Sequence, residues 1–265
     1  MEEICHKEGC SVEVPKLLTC ALDIGEQMLL SGAEIGRVED SIRHICTAYG
    51  CRRTDVFTIT SSIVVSVQDT DGNYHTQSRR ITGGKTDLER LHRLNSLSRH
   101  ICAHLPSWEA VQRELQGILA QPTYPFWLEM LASSVIAGAF AVFFGGRWAD
   151  GMVAAVLGGL LHITVSLLRL ARMNQILTNV VASFLISAAA IAATDLGLGH
   201  DPNEIIIGHI MLLIPGIALT NSLRDMISGD IISGLLRFLD AMLVAVAIAA
   251  GYILAARMLG GALWI

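Results

Sequence analysis

The residues best suited to chemistry lie between positions 213 and 240, where Pro-Gly interrupts an apolar stretch and acids follow it. Pro215 removes a backbone hydrogen bond from the middle of that stretch, and Gly216 loosens the backbone beside it. Within a membrane the freed carbonyls need partners, and broken helices of this kind form midplane sites in many transporters. We predict that Pro215 and Gly216 border a path for a solute or ion; a plain kink is the alternative.

Polar side chains follow this break at helical spacing. Asn221 and Asp225 are four residues apart, which places them on one face of a helix, and Asp230 and Asp240 come next. An amide and carboxylates in this setting can bind a polar solute or relay protons. Alternatively, Asp225 and Asp230 are loop or interface residues, and Asp240 pairs with Arg237 three residues earlier.

Two histidines, His162 and His209, stand within otherwise apolar stretches. A titratable group inside a membrane is costly to bury and often serves proton transfer, so both join the candidate pathway residues. Each is equally consistent with a histidine that packs between helices and makes hydrogen bonds.

The remaining motifs are too incomplete to predict a cofactor. Cys5 and Cys10 flank a histidine, but no second Cys/His pair stands near them, so we predict no metal site. Gly84-Lys85-Thr86 resembles the end of a phosphate-binding loop, yet Arg79 occupies the position of its first glycine. No catalytic signature is present, and the net charge of −5 gives no basic footprint, so we predict neither an enzyme nor a nucleic-acid partner.

The elements that position these residues divide the chain by composition. Residues 1–125 hold 13 Lys/Arg and 16 Asp/Glu, whereas residues 126–265 hold 6 and 8. The second part contains five apolar runs that are long enough to cross a bilayer of about 30 Å as helices. We predict a membrane α-helical protein, with a small α+β domain at 1–125 and a transmembrane domain at 126–265. The runs are 126–144, 152–168, 176–194, 205–223 and 235–256.

The first part shows helical and strand periodicity in turn. Apolar spacing predicts helices over 15–30 and 34–49, and Thr86 is a candidate cap for a helix that ends near residue 104. Another helix is predicted over 107–119. Between them, residues 55–81 alternate as β-strands around a turn at 69–72.

Arginine placement predicts the topology. Arg169 and Arg172 lie between the second and third runs and Arg224 between the fourth and fifth, whereas residues 195–204 contain no Lys or Arg. The positive-inside rule then places the N-terminal domain in the cytoplasm, where its cysteines are reduced, and the C-terminus outside a multi-pass cell membrane protein.

Several stretches together resemble the threonine/serine exporter family, and within it the shorter YjjP-like proteins. They are Leu-Leu-Ser-Gly-Ala-Glu-Ile-Gly-Arg-Val-Glu-Asp at 29–40, Ala-Tyr-Gly at 48–50, Arg79-Arg80, Gly83-Gly84, Asp87-Leu88, and Ile-Pro-Gly at 214–216 with Asn221, Asp225, Gly229-Asp230 and Gly234. The resemblance covers nearly the whole chain after the first dozen residues.

The resemblance implies a secondary transporter that exports threonine, serine or a dicarboxylate such as succinate, driven by a proton or ion gradient. Full-length members add a second, smaller membrane half, so the resemblance also implies a separate YjjB-like membrane subunit and a homo- or hetero-oligomer. The alternative is a membrane-anchored sensor whose cytoplasmic domain binds a ligand.

Overall fold

A computed structural model describes residues 14–121 and 124–259, which are mostly helical and include one three-stranded sheet. Its contacts divide the chain into two compact units. The first unit contains described residues up to 121 and Ile217–Phe238, and the second contains those from 124 to Gly216 and from Leu239 to 259. The elements are α1 (Val14–Leu30), α2 (Ile35–Ala48), β1 (Arg53–Ile59), β2 (Ser62–Gln68), β3 (Tyr74–Arg80), α3 (Leu88–His104), α4 (Trp108–Leu119), α5 (Phe126–Phe143), α6 (Trp148–Leu170), α7 (Gln175–Asp195), α8 (Pro202–Leu213), α9 (Gly216–Ile227) and α10 (Ile231–Leu259).

The core of the first unit is built from the helix faces that the sequence predicts. On α2, Ile35, Val38, Ile42 and Ile45 are fully buried, as their spacing indicates. The predicted face of α1 is buried as well, with Leu17, Leu18, Ala21, Ile24, Met28 and Leu29 all inside. Burial of these aliphatic side chains is the main stabilising contribution to this unit.

The sheet is an antiparallel meander in the order β1-β2-β3. Its central strand alternates strictly, and Ile63, Val65 and Val67 are buried while their neighbours are half-buried. Val65 lies opposite Val56 of β1 and Gln77 of β3, which fixes the register. The predicted turn joins β2 to β3.

The start of α3 differs from the prediction. Asp87, not Thr86, is the N-cap, and its carboxylate accepts a hydrogen bond from the amide of Arg90 (2.9 Å). Thr86 instead packs against Gly32 in the turn between α1 and α2. The capping-box spacing pointed one residue too early because Asp87 is an equally good cap.

Four helices of the described residues are long and apolar enough to cross a membrane, namely α5, α6, α7 and α10. Each overlaps one of the five predicted runs, with bounds that shift by a few residues. The start moves by four residues both in α10, which begins at Ile231, and in α6, which begins at Trp148 and so includes Asp150. These helices make the chain a multi-pass membrane protein.

Small residues let α5 and α6 approach closely, and on α6 they are Gly151, Ala155 and Gly159 at a spacing of four. A Cβ added at Gly138 of α5 would lie 2.8 Å from the carbonyl oxygen of Gly151 and 3.1 Å from Cβ of Ala155. A Cβ at Gly159 would lie 2.9 Å from Oγ of Ser134. Only glycine permits this backbone proximity.

The fourth predicted run is not one continuous helix. It consists of α8 and α9, which pass the length and hydropathy test only together and are bent by 55°. Ile214 is extended (φ −62°, ψ 128°) because the following Pro215 disfavours helical geometry there. The break therefore lies at the predicted Pro-Gly, and α9 belongs to the first unit.

Candidate functional site

The second half of the broken helix forms a tight hairpin with the start of α10. Gly229, with φ of 103°, ends α9, and the amide of Asp230 donates to the carbonyl of Asp225 (2.9 Å). At Gly234 an added Cβ would lie 2.7 Å from the carbonyl oxygen of Ser222 and 2.9 Å from the amide nitrogen of Met226. Glycine is required there because the two helices touch through their backbones.

The same unit contains the turn between α1 and α2. Backbone hydrogen bonds join this turn to the segment before α3. The amide of Lys85 donates to Leu30 (3.0 Å), and that of Asp87 donates to Ser31 (3.1 Å). Gly32 has φ of 90°, which favours glycine. The turn is thus held in one geometry, with backbone groups left for partners elsewhere in the unit.

Asp225 supplies the N-terminal cap of α2 from 190 residues away. The residue before α2, Glu34, makes no capping hydrogen bond through its own side chain. The amide of Ile35 instead donates to Oδ1 of Asp225 (3.2 Å), whose side chain is 2% exposed. A carboxylate at a helix N-terminus satisfies a free N–H group and is favoured by the helix dipole.

Arg237 of α10 neutralises this buried carboxylate. Its Nη1 lies 3.3 Å from Oδ2 of Asp225, and its Nη2 donates to the carbonyl of Ala33 (3.2 Å). The amide of Asn221 donates to the carbonyl of Gly32 (3.0 Å), and the more exposed Arg224 pairs with Glu34. We call Asn221, Asp225 and Arg237 the hairpin network.

A second point of attachment joins α10 to the sheet. The hydroxyl of Ser233 donates to the carbonyl of Thr58 (3.3 Å), and the amide of Thr58 donates to Glu39 of α2 (2.8 Å). Burial raises the pKa of Glu39, and the negative charge of Asp230 raises it further. The hydrogen bond from Thr58 acts in the opposite direction. The hairpin is therefore tied to α2 and β1 by buried polar contacts.

The hairpin network can hold and orient backbone, but it has no nucleophile, general base or metal-ligand set. Each charge in its interior is paired, and its hydrogen bonds end on main-chain groups of the α1–α2 turn. Such a network fixes α9 and the start of α10 against the turn between α1 and α2. Among the described residues, no group of three His, Cys, Asp or Glu side chains could hold a metal ion, and Cys5 and Cys10 lie outside them.

The predicted pathway residues fall into different places. Asn221 and Asp225 share one helix face and meet the same turn, as their spacing implies. Pro215 and Gly216 lie at the break, and Asp230 lies half-buried in the turn of the hairpin. Asp240 is exposed on α10, and the ion pair of Arg237 is with Asp225 rather than Asp240.

The two histidines belong to the second unit and differ in their surroundings. His209 of α8 is 2% exposed and lies between two backbone carbonyls. His162 of α6 lies 3.7 Å from a carboxylate oxygen of Glu129 on α5 and against the ring of Phe126 (4.9 Å between centroids). The proximity of Glu129 to His162 was not predicted from the sequence.

Sequence reasoning missed one buried acid. Asp150, 1% exposed, accepts from the amides of Arg147 (2.9 Å), His200 (2.5 Å) and Asp201 (3.3 Å). The predicted run begins at residue 152, which leaves Asp150 outside it. Its position three residues after Arg147, at the third residue of α6, was the available signal.

The chain is similar to known membrane transport proteins over nearly its whole length. The family model described as "Putative threonine/serine exporter" matches residues 19–259. A "Threonine/serine exporter" from Corynebacterium glutamicum is 27% identical over 90% of this chain and 50% of its own length. A "Probable threonine/serine exporter" from Mycobacterium tuberculosis is 26% identical over 91% of this chain and 46% of its own length.

A shorter relative matches end to end. The "Probable succinate transporter subunit YjjP" from Escherichia coli is 25% identical over 92% of this chain and 95% of its own length. The chain therefore spans about half the length of the two exporters and nearly all of the YjjP protein. No solved structure matches it.

Proposed function

Because the chain belongs to the threonine/serine exporter family, we propose that it is a subunit of a gradient-driven exporter of small polar metabolites. Its relatives are named for threonine and serine in two cases and for succinate in a third. The proposed substrates are accordingly hydroxy amino acids or a four-carbon dicarboxylate. The activity proposed is transport rather than catalysis.

The single observation that carries this proposal is the break between α8 and α9. An isolated kink needs no buried charge after it, whereas here the second half-helix carries Asn221 and Asp225 into a network with α2. Discontinuous helices with polar groups beside the break are typical of transporters that alternate access. We propose that Pro215 and Gly216 border the solute path and that the hairpin network moves or fixes α9.

The topology proposed from arginine placement is supported by membership of the first unit. Residues 217–238 belong to the same unit as the N-terminal helices, and they carry Arg224 and Arg237. With the N-terminal part in the cytoplasm, α5, α6, α7, the α8–α9 pair and α10 cross in turn, which leaves the arginine-free residues 195–204 outside. The end of α10 is then also outside.

This topology has a direct test because all six cysteines lie within the first 102 residues. A membrane-impermeant maleimide should leave the native chain unlabelled in intact cells and label it after permeabilisation. Leu198→Cys, in the loop before α8, should be labelled in intact cells. Labelling of the native chain without permeabilisation would reverse the topology.

A second membrane subunit completes the proposal. The chain spans about half of the two-part exporters that it resembles, and the YjjP protein is named as a subunit. Asp240 is exposed near the start of a predicted span, and a carboxylate there needs water or a polar partner. We propose that the partner is YjjB-like.

The test is efflux of labelled serine, threonine, succinate and malate from cells that express this chain alone or with a YjjB-like protein. We expect partner-dependent efflux of at least one solute, which collapses when the proton gradient is dissipated. No efflux of any of them in either case, with both proteins confirmed in the membrane, would contradict the proposal.

A groove in the first unit favours one alternative, a ligand-sensing regulator. It has a volume of about 980 Å³ and lies between α2 and α3, and its lining includes Arg37, Asn95 and Arg99 beside the acids Glu34 and Asp40. Cationic and amide groups suit a carboxylate ligand. Under this alternative, succinate or serine raises the melting temperature of the full chain, Arg99→Gln removes that shift, and Arg80→Gln on strand β3 keeps it, all without efflux.

A further inference from the structure

The buried ring of His209 makes two contacts that only a doubly protonated imidazole satisfies. Its Nδ1 lies 2.6 Å from the carbonyl oxygen of Ile205, one turn earlier on α8. Its Nε2 lies 3.1 Å from the carbonyl oxygen of Ala154 on α6. Backbone carbonyls accept hydrogen bonds and cannot donate them, so both ring nitrogens must carry a proton to bond in this arrangement.

A neutral ring would change one of the two contacts. With a single N–H group, it could donate to Ile205 or to Ala154, and its bare nitrogen would face the other carbonyl oxygen lone pair to lone pair. The contact to Ala154 is the one that joins two helices. When the remaining proton stays on Nδ1, at the shorter contact with Ile205, loss of the Nε2 proton weakens the attachment of α8 to α6, and its return restores that hydrogen bond.

Burial and hydrogen bonding act in opposite directions on the charge of this ring. A side chain that is 2% exposed loses the hydration of its charged form, which favours the neutral ring. The two charge-assisted hydrogen bonds favour the imidazolium. A histidine under these opposed effects can gain and lose a proton as its access to water changes.

Charged groups on the neighbouring elements are few and lie toward helix ends. The nearest along α6 is Asp150, one turn before Ala154 on the same face, and three backbone amides already donate to it. The ionisable residues on the packed helices and the loop before α8 are Glu129 of α5, Asp150, His162 and Arg169 of α6, Asp195 of α7, His200 and Asp201 of the loop, Glu204 of α8, and Arg237, Asp240, Tyr252 and Arg257 of α10.

We propose that His209 is the residue that carries the coupling proton. Its protonation joins α8 to α6 through the hydrogen bond to Ala154, on the N-terminal side of the break at Pro215. This rests on the proposed transport function. A proton from water on one side of the membrane forms the second ring N–H bond, and its release to water on the other side restores the neutral ring. His162 is a weaker candidate because its Nε2 has no hydrogen bond within the described residues.

The protonation state can be measured without transport. Ring nitrogen-15 spectra of the purified, histidine-labelled full chain in lipid would be recorded from pH 5 to 8, and His209→Gln would identify the signal of this residue. We expect a ring with both nitrogens protonated within that range. A His209 ring that keeps one bare nitrogen throughout would overturn the proposal.

The coupling is measured with the full chain and its YjjB-like partner in vesicles. We expect His209→Gln to keep downhill solute exchange but to lose the acceleration that an imposed proton gradient gives. His92→Gln, at an exposed position of α3, should keep both. Undiminished gradient drive in His209→Gln, or equal loss of both modes, would overturn the proposal. Absence of transport by the unaltered proteins would contradict the proposed function instead, and the spectra would still decide the charge state.

Discussion

Removal of the Asp225 carboxylate tests how strongly the hairpin is held. Asp225→Ala leaves the guanidinium of Arg237, 13% exposed, without its ion pair and the amide of Ile35 without its acceptor. Breaking a buried ion pair from one side costs about 3–5 kcal/mol. Arg237 keeps its hydrogen bond to Ala33, so we expect a loss near the lower end, about 3 kcal/mol.

A double-mutant cycle isolates the pair. Asp225→Ala, Arg237→Ala and the double variant would be compared by denaturant unfolding of the purified full chain in detergent. We expect the double variant to be less destabilised than the sum of the single ones, by about 1–3 kcal/mol. Hydrogen exchange adds a local readout, because the amide of Ile35 should lose protection in Asp225→Ala and retain more of it in Asp225→Asn.

Additive single changes would refute this reasoning. If the three variants add within about 0.5 kcal/mol, the two side chains do not interact in the folded protein. Unchanged protection of the Ile35 amide in Asp225→Ala would likewise show that the carboxylate does not cap α2. Asp55→Asn, an exposed acid on β1, controls for loss of one negative charge.

Three further predictions concern stability of the full chain in detergent. Gly234→Ala should cost about 1–3 kcal/mol because the added Cβ overlaps the backbone of α9. Gly216→Ala should be nearly neutral, because the added Cβ would lie more than 4 Å from atoms outside its own helix and its chain neighbours. Asp150→Ala should cost about 1–3 kcal/mol because three backbone N–H groups lose their acceptor, and an unchanged unfolding midpoint would argue against the buried cap. Burial raises the pKa of Asp69, but hydrogen bonds from the β2–β3 turn outweigh it and lower the pKa to about 2. The folded pKa lies below the ordinary value, so this residue's contribution is present at neutral pH and is lost as pH falls from about 4 to 2. Acid titration of Asp69→Asn should lack that step; an identical acid profile would contradict the assignment.

The elements of the first unit were predictable because local periodicity decides them. The fully buried Ile35, Val38 and Ile42 repeat at helical spacing, and β2 alternates at a spacing of two. The cap of α3 was misplaced by one residue because Thr86 and Asp87 both suit that role, and only the contact of Thr86 with Gly32 separates them.

The candidate site was predictable only in part. The Pro215-Gly216 pair predicts the break, and the spacing of Asn221 and Asp225 predicts that they share one helix face. Their partners were not predictable, since Gly32 and Ile35 lie about 190 residues away and accept or donate through backbone, which no side-chain pattern reveals. Asp240 lies three residues after Arg237, so a pair within α10 was a simpler expectation than the observed pair with Asp225 of α9.

Efflux by Asp225→Asn tests the central claim most directly. The variant and Asp55→Asn would each be expressed with the YjjB-like partner at equal levels in the membrane, and efflux of the solute identified with the unaltered chain would be compared. The account predicts that Asp225→Asn inserts normally and loses export, while Asp55→Asn exports as the unaltered chain does. Full export by Asp225→Asn would contradict the claim that the hairpin network serves transport.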